Sequence, residues 1–236
     1  MHLSIVIPAF NEEPRIGDTL RLANAYLSKQ GYDAEIIVVD DGSTDRTAFV
    51  VQTLYPDVRV ISYAQNRGKG YAVKTGMLAA AGDYRIFMDA DGSTPISDIE
   101  LFWPRFDDGA DIVIGSRSLP QSQVIVRQHP FRENMGRMFN VLVKLLLIPG
   151  FIDTQCGFKG FTARSAQVVL SRQRLDGFSF DTELLYIAQR HGLRIDEVPV
   201  LWCNSPHSRV RMFADSARMF WDLFRIRVNG MAGKYR

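Results

Sequence analysis

Short β-branched runs alternate with amphipathic stretches along the first half of the chain. Leu3–Ile7, Glu35–Val39, Val58–Ser62, Tyr84–Met88 and Asp111–Ile114 predict short strands. Between them Glu12–Gln30, Thr44–Leu54, Gly70–Ala81 and Ile96–Phe106 predict helices, the third with Val73, Met77 and Ala80 at helical spacing and Gly82 closing it. This alternation predicts an α/β fold built on a doubly wound, mostly parallel sheet. The second half is less regular: helices over Arg132–Leu147 and Phe180–His191, strands over Gly157–Phe161 and Ile195–Leu201, and a final amphipathic helix over about Arg211–Val228. No repeat, low-complexity tract or linker interrupts it. One domain over 1–210 with a C-terminal tail over 211–236 is expected.

Ligands of such sheets sit beyond the carboxyl ends of the strands, and here those positions are polar. The five predicted strands run into Pro8-Ala9-Phe10-Asn11-Glu12, Asp40-Asp41-Gly42-Ser43-Thr44-Asp45, Asn66-Arg67-Gly68-Lys69-Gly70, Asp89-Ala90-Asp91-Gly92-Ser93 and Gly115-Ser116-Arg117. Residues i and i+2 of a strand share a face, so Asp89 and Asp91 can face one ligand, and paired hard oxygens suit Mg²⁺ or Mn²⁺. A strand-to-turn cap is the plain alternative. Asp40 suits hydrogen bonding to a base or ribose, whereas Ser43, Thr44 and Asp45 are equally suited to capping the next helix. The loop 66–70 offers N–H groups and two cations to an anion. Neither a Walker loop nor G-x-G-x-x-G nor H-E-x-x-H occurs, which argues against kinases, dinucleotide enzymes and zincins.

Charge and composition remove further classes. Lys+Arg 28 against Asp+Glu 26 gives a net charge of +2, too balanced for a general nucleic-acid binder. The longest apolar stretch, Met138 to Ile148, is interrupted by Asn140 and Lys144, so no membrane span is expected. The start lacks the basic region and cleavage site of a signal peptide, and two cysteines fit a reducing compartment. Cys156 reads as core, and the four histidines share no ligand spacing.

These motifs resemble family 2 glycosyltransferases of the GT-A fold (nucleotide-diphospho-sugar transferase, Rossmann-like), and within them the polyprenyl-phosphate glycosyltransferases. The resemblance rests on Val6-Ile7-Pro8-Ala9-Phe10-Asn11-Glu12, Val39–Asp45, Asn66–Gly70 and Asp89–Gly92. In the second half it rests on Asp153-Thr154-Gln155-Cys156-Gly157-Phe158-Lys159 and Phe180-Asp181-Thr182-Glu183-Leu184-Leu185. The last two motifs and the stretch Phe220–Arg227 are similar to dolichyl-phosphate β-glucosyltransferases more than to the mannosyltransferases.

The resemblance implies inverting transfer of a hexose, glucose from UDP-glucose, to a dolichyl or undecaprenyl phosphate. Residues 1–117 would form the nucleotide-sugar half and 118–210 the acceptor half. Pro8, Ala9, Glu12, Asp40 and Lys69 would line the nucleotide pocket. Asp89 would face ribose and sugar, and Asp91 would ligate Mg²⁺ or Mn²⁺. Arg117 and Arg132 would hold the acceptor phosphate, Arg209 would close over the donor diphosphate, and Asp181 and Glu183 would contact substrate. Ser93 stands where mannosyltransferase relatives have a metal-holding Gln, and Gly136 where they have a phosphate-binding Ser. Rival readings are transfer from GDP-mannose, transfer to a glycan or protein acceptor, and a non-catalytic membrane-associated nucleotide-sugar-binding subunit. In the tail Phe213, Ala217, Phe220, Phe224 and Val228 recur at helical spacing, with Trp221 beside them. Seven basic residues stand against two acidic ones over 209–236, a net of +5. Such a helix suits an anionic membrane surface, docking on the domain, or dimerisation. The expected location is cytoplasmic, peripheral on the cytoplasmic face of a membrane, with no nucleic-acid partner.

Overall fold

A computed structural model describes residues 2–126, 130–203 and 212–236, without side-chain detail at 130–133, 137 and 212–215. Nine strands are described: β1 (His2–Ala9), β2 (Asp33–Asp40), β3 (Arg59–Ser62), β4 (Tyr84–Met88), β5 (Ile112–Ser116), β6 (Gln123–Val126), β7 (Phe158–Thr162), β8 (Ile195–Pro199) and β9 (Leu201–Cys203). The helices are α1 (Ile16–Gln30), α2 (Thr47–Leu54), α3 (Lys69–Ala79), α4 (Trp103–Asp107), α5 (Pro130–Leu146), α6 (Ala163–Arg172), α7 (Phe180–Arg190) and α8 (Met212–Met231), with a 3₁₀ turn at Ile96–Leu101.

Seven strands form one sheet in the order β3-β2-β1-β4-β7-β5-β8. All neighbours are parallel except β7, which runs antiparallel between β4 and β5. Successive side chains of a strand point to opposite faces, and each face here meets its own apolar layer. Val6, Ile37, Val39, Phe87, Ile112 and Ile114 join the layer that includes α3, α5, α6, α7 and α8. Ile5, Ile7, Ile36, Val38, Ile86, Met88 and Val113 join the layer that includes α1, α2 and α4. Burial on both faces explains why these strands read as unbroken apolar runs. The order reverses between β1 and β4, and the crevice at their carboxyl ends is the switch point at which such sheets bind ligands.

Some expectations are corrected. The predicted helix from Glu12 begins at Ile16, because residues 12–15 turn on Glu12 O. Helix α2 begins at Thr47, since Ser43 Oγ and Thr44 N engage Asn11 of the first loop instead of capping it. The stretch 96–106 is a 3₁₀ turn followed by a short helix. Helix α6 has no counterpart in the pattern reading, and neither does the two-stranded parallel sheet β6–β9.

The tail shares the core. Leu223 and Ile226 are fully buried, Tyr235 is 1% exposed, and Phe220 meets Phe139 of α5 edge-on at 6.3 Å. A side chain at Gly230 would overlap the Tyr186 hydroxyl, so α8 lies close against α7. Of the side chains read there from the sequence, Trp221 is 67% exposed and Phe224 and Val228 are also open, whereas Phe220 packs on α5 and the Phe213 side chain lies outside the described residues.

Candidate active site

The Asp89-Ala90-Asp91 loop is held from three sides. Asp89 N donates to Gly157 O at 3.0 Å, Thr19 Oγ1 donates to Ala90 O at 2.7 Å, and Ser93 N donates to Asp91 Oδ1 at 3.0 Å. A β-carbon at Gly157 would fall on the Asp89 carboxylate, so only glycine leaves room for it there. The antiparallel β7 thus brings residues 156–157 of the second half against the carboxylates of the first. Lys69, the first residue of α3, places its ammonium 2.6 Å from Asp89 Oδ1. Burial pulls the Lys69 pKa down, but the carboxylates of Asp89, Asp181 and Asp91 outweigh it and the pKa rises.

Asp40 and Asp41 divide their work. Asp40 ends β2 beside Ala9 of β1 and accepts from Ser43 N at 3.1 Å. Asp41 is 3% exposed and is a loop organiser. It accepts from Asn66 Nδ2 and from the N–H groups of Arg67 and Gly68, at 2.8–2.9 Å. This fixes the turn that delivers Lys69. Pro8 and Ala9 are buried at the end of β1, and Glu12, 7% exposed, is held by Arg15 through both oxygens.

Arg117 follows β5 and grips Asp153 with Nε at 2.6 Å and Nη2 at 2.8 Å, its guanidinium 5.5 Å from the Trp202 ring. Burial would raise the Asp153 pKa, but Arg117 and the N–H donors of Arg117 and Gln155 bring it down to about 2. A carboxylate whose pKa is depressed on folding stabilises the fold above its unfolded value. That contribution disappears as pH falls through the folded one. Asp153 is therefore expected to contribute about 2 kcal/mol above pH ~4 and to lose it between pH ~4 and ~2. Urea unfolding of wild type and Asp153→Asn across that range checks this: the gap between them narrows in acid, and a constant gap contradicts it.

Two expected substrate contacts have buried carboxylates. The Glu183 carboxylate is buried and accepts from Arg174 N, Leu175 N and the Tyr235 hydroxyl, tying α7 to the chain end rather than facing the site. Asp181 turns inward, 4% exposed, with Oδ1 on the fully buried Lys159 at 2.6 Å. Burial pushes the Cys156 thiol up to about 12, which fits a core residue. Arg132 lies in α5, but its side chain is outside the described residues, and so is Arg209. Pattern reading missed Asp153, Gly157 and Lys159 as individual residues. The one available signal was Lys159 itself, a cation between Phe158 and Gly160-Phe161 in an apolar strand.

Among the described residues no three Asp, Glu, His or Cys side chains form a ready cage for a metal. A cation that keeps waters and phosphate oxygens needs only one or two carboxylates, and Asp91, with Asp89 behind it, fits that pattern. A nucleoside diphosphate therefore suits this crevice.

Comparison with known families decides the class. Residues 4–165 match the glycosyl transferase family 2 model. The chain is a family 2 glycosyltransferase. Over 99% of its length this transferase is 36% identical to the dolichyl-phosphate beta-glucosyltransferase of Homo sapiens, covering 77% of that protein. Over its whole length it is 34% identical to the enzyme of the same name from Dictyostelium discoideum, again covering 77%. Its fold is similar to that of glucosyl-3-phosphoglycerate synthase from Mycobacterium tuberculosis, solved with Mn²⁺, UDP and glucosyl-3-phosphoglycerate. That match has TM-score 0.72 and 22% identity, over 96% of this chain and 80% of that one. Mannosyl-3-phosphoglycerate synthase from Rubrobacter xylanophilus is similar too, with TM-score 0.74 and 20% identity over 99% and 75%. The transferase thus has a single GT-A-like α/β domain.

Proposed function

We propose that this transferase moves glucose from UDP-glucose to the phosphate of dolichyl phosphate, with inversion at C1, at a membrane surface. The names of its relatives support donor sugar and acceptor, and the distribution of apolar surface supports a lipid over a soluble phosphate. Of sixteen exposed large hydrophobic residues among those described, twelve lie on β6, α5, the turn after it and α8. They include Val124, Ile125, Val126, Met138, Val141, Leu145, Trp221, Phe224, Val228 and Met231. β6 precedes α5 and β9 precedes α8, and the two strands pair in parallel, so one module gathers these side chains. Arg218, Arg225, Arg227, Lys234 and Arg236 on and after α8 add attraction to anionic lipid. No helix among the described residues is long and apolar enough to cross a membrane, so the contact is proposed to be interfacial.

In this reading Asp40 and the ends of β1 and β2 receive the nucleoside, and Asp89, Asp91 and Lys69 face the diphosphate and sugar. Bound Mg²⁺ or Mn²⁺ would offset charge on the leaving diphosphate. Arg117 and Arg132 hold the attacking phosphate, and Arg209 closes on the donor. The acceptor needs no strong base from the chain, because a phosphate monoester with a second pKa near ~6 is already a dianion at neutral pH. The roles left to the chain are positioning and electrostatics. Asp181, paired inside with Lys159, is not required as a base.

Incubating the purified chain with Mg²⁺ or Mn²⁺, UDP-glucose or GDP-mannose, and a short polyprenyl phosphate tests this. Glucosyl-phosphoryl-polyprenol is the expected product, and transfer only to a glycan, or only from GDP-mannose, refutes the reading. Replacing Trp221, Phe224 and Val228 together by Ser is expected to release the chain from anionic vesicles. Three exposed side chains that each bury apolar area worth about 1.5–3 kcal/mol outweigh any one basic residue at the surface. Undiminished flotation of the folded triple variant would assign this face to something other than lipid.

A further inference from the structure

Charges alternate from the interior of the site to its rim: Lys159, Asp181, Lys69, Asp89. Lys159 stands on β7, level with Phe87 of β4 and Ile114 of β5, and its side chain is fully buried. Its Nζ donates to Asp181 Oδ1 at 2.6 Å and to the Cys156 carbonyl at 2.5 Å. Lys69 holds Asp89 Oδ1 at 2.6 Å and also feels Asp181. Asp181 in turn feels both ammonium groups. Asp181 is thus paired with one ammonium and attracts a second, and the two pairs are brought together where Gly70 packs on Phe180.

A buried ion pair is weak support for stability, because apolar side chains of similar volume often serve as well or better. Stability alone leaves Lys159 unexplained. Its contacts do something more specific: they satisfy Asp181, a buried carboxylate that also attracts Lys69. We propose that Lys159 is a positioning residue, which by holding Asp181 leaves the Lys69 ammonium to Asp89 and so fixes the donor-side carboxylate. Without Lys159 the buried Asp181 still attracts the Lys69 ammonium. Attraction is stronger in the drier interior than at the rim, so Lys69 is drawn inward and Asp89 is released.

The inference uses the donor reading above for one of its two readouts. Mn²⁺–UDP binding is measured by calorimetry, with melting temperatures, for Lys159→Met, Asp181→Asn and the double variant, and the crystal structure of Lys159→Met is determined. Loss of a charge-assisted contact predicts binding weakened about thirtyfold in Lys159→Met. Asp181→Asn removes the competitor and costs about threefold, and the double variant returns to within about threefold of wild type, a non-additivity expected of coupled neighbours. In the Lys159→Met crystal, Lys69 sits on Asp181. Losses that add in the double variant, or Lys69 still on Asp89 in that crystal, overturn the proposal. If Lys159→Met does not fold, Asp181→Asn and the double variant decide: a tenfold loss of binding in either overturns it. Failure of the wild type to bind Mn²⁺–UDP contradicts the donor reading, and the position of Lys69 in the variant crystals then decides the pairing.

Discussion

Asp91→Asn is expected to lower glucose transfer about a thousandfold while leaving the melting temperature within ~2 °C of wild type. The two halves of that expectation have different causes. Asp91 is only partly buried, and its one described hydrogen bond, from Ser93 N to Oδ1, can be kept by the amide oxygen of Asn. The loop around it is held independently by Gly157 O and Thr19 Oγ1. What the substitution removes is the negative charge that would hold a divalent ion against a diphosphate. Removal of a single preorganised electrostatic contact to developing charge commonly costs ~10²–10³ in turnover, and loss of a metal ligand lies at the upper end. Transfer of labelled glucose at several metal concentrations checks it. Near-normal turnover would take Asp91 out of the reaction, and a large drop in melting temperature would make it a structural cap.

The part of this rim built by the first half of the chain was legible because chain order and spatial order coincide there. Each βα unit carries its polar residues just past its own strand, so reading strand ends in sequence also reads the rim of the crevice. Asp40, Lys69, Asp89 and Asp91 are found that way. Asp153, Gly157 and Lys159 are not, because β7 enters the sheet antiparallel between β4 and β5, and no local pattern reports a non-local pairing. Arg117 and Asp153 are 36 residues apart, and nothing near either one names the other. Glu183 misled for a related reason. It stands two residues from Asp181 on α7, but the helical turn carries its side chain toward Tyr235 at the far end of the chain. Helix α6 did carry a signal: Thr162 accepts from Ser165 N as its cap, followed by Ala166, Val169 and Leu170 at helical spacing. In α8 the period was right, and the face was left open between a membrane, the domain and a partner. Two apolar stripes share that helix, and the sequence alone cannot say that Leu223 and Ile226 turn inward while Trp221, Phe224 and Val228 stay outside.

Arg117→Ala is expected to cost on two counts that a second substitution separates. The Asp153 side chain is 0% exposed and relies on Arg117 through both oxygens. Removing one partner of a buried pair leaves an uncompensated charge and typically destabilises by about 3–5 kcal/mol. Arg117→Ala alone is therefore expected to melt well below wild type. In Arg117→Ala/Asp153→Asn that buried charge is gone, and the amide oxygen still accepts from the N–H of residue 117 or of Gln155, so most of the lost stability returns. Acceptor use should not return with it. The pairing to Asp153 occupies Nε and Nη2 and leaves Nη1 for a further acceptor, with the guanidinium carbon 5.5 Å from the Trp202 ring. A charge-assisted bond from there to a phosphate oxygen is worth about 1.5–3 kcal/mol. The double variant should then show kcat/KM for polyprenyl phosphate lowered about ten- to a hundredfold, with KM for UDP-glucose nearly unchanged. Steady-state rates with each substrate varied in turn, beside a melting curve, give all the quantities needed. Recovery of acceptor use together with stability would make Arg117 a purely structural partner of Asp153. A loss that falls on the donor instead would put the acceptor phosphate at a different part of the rim.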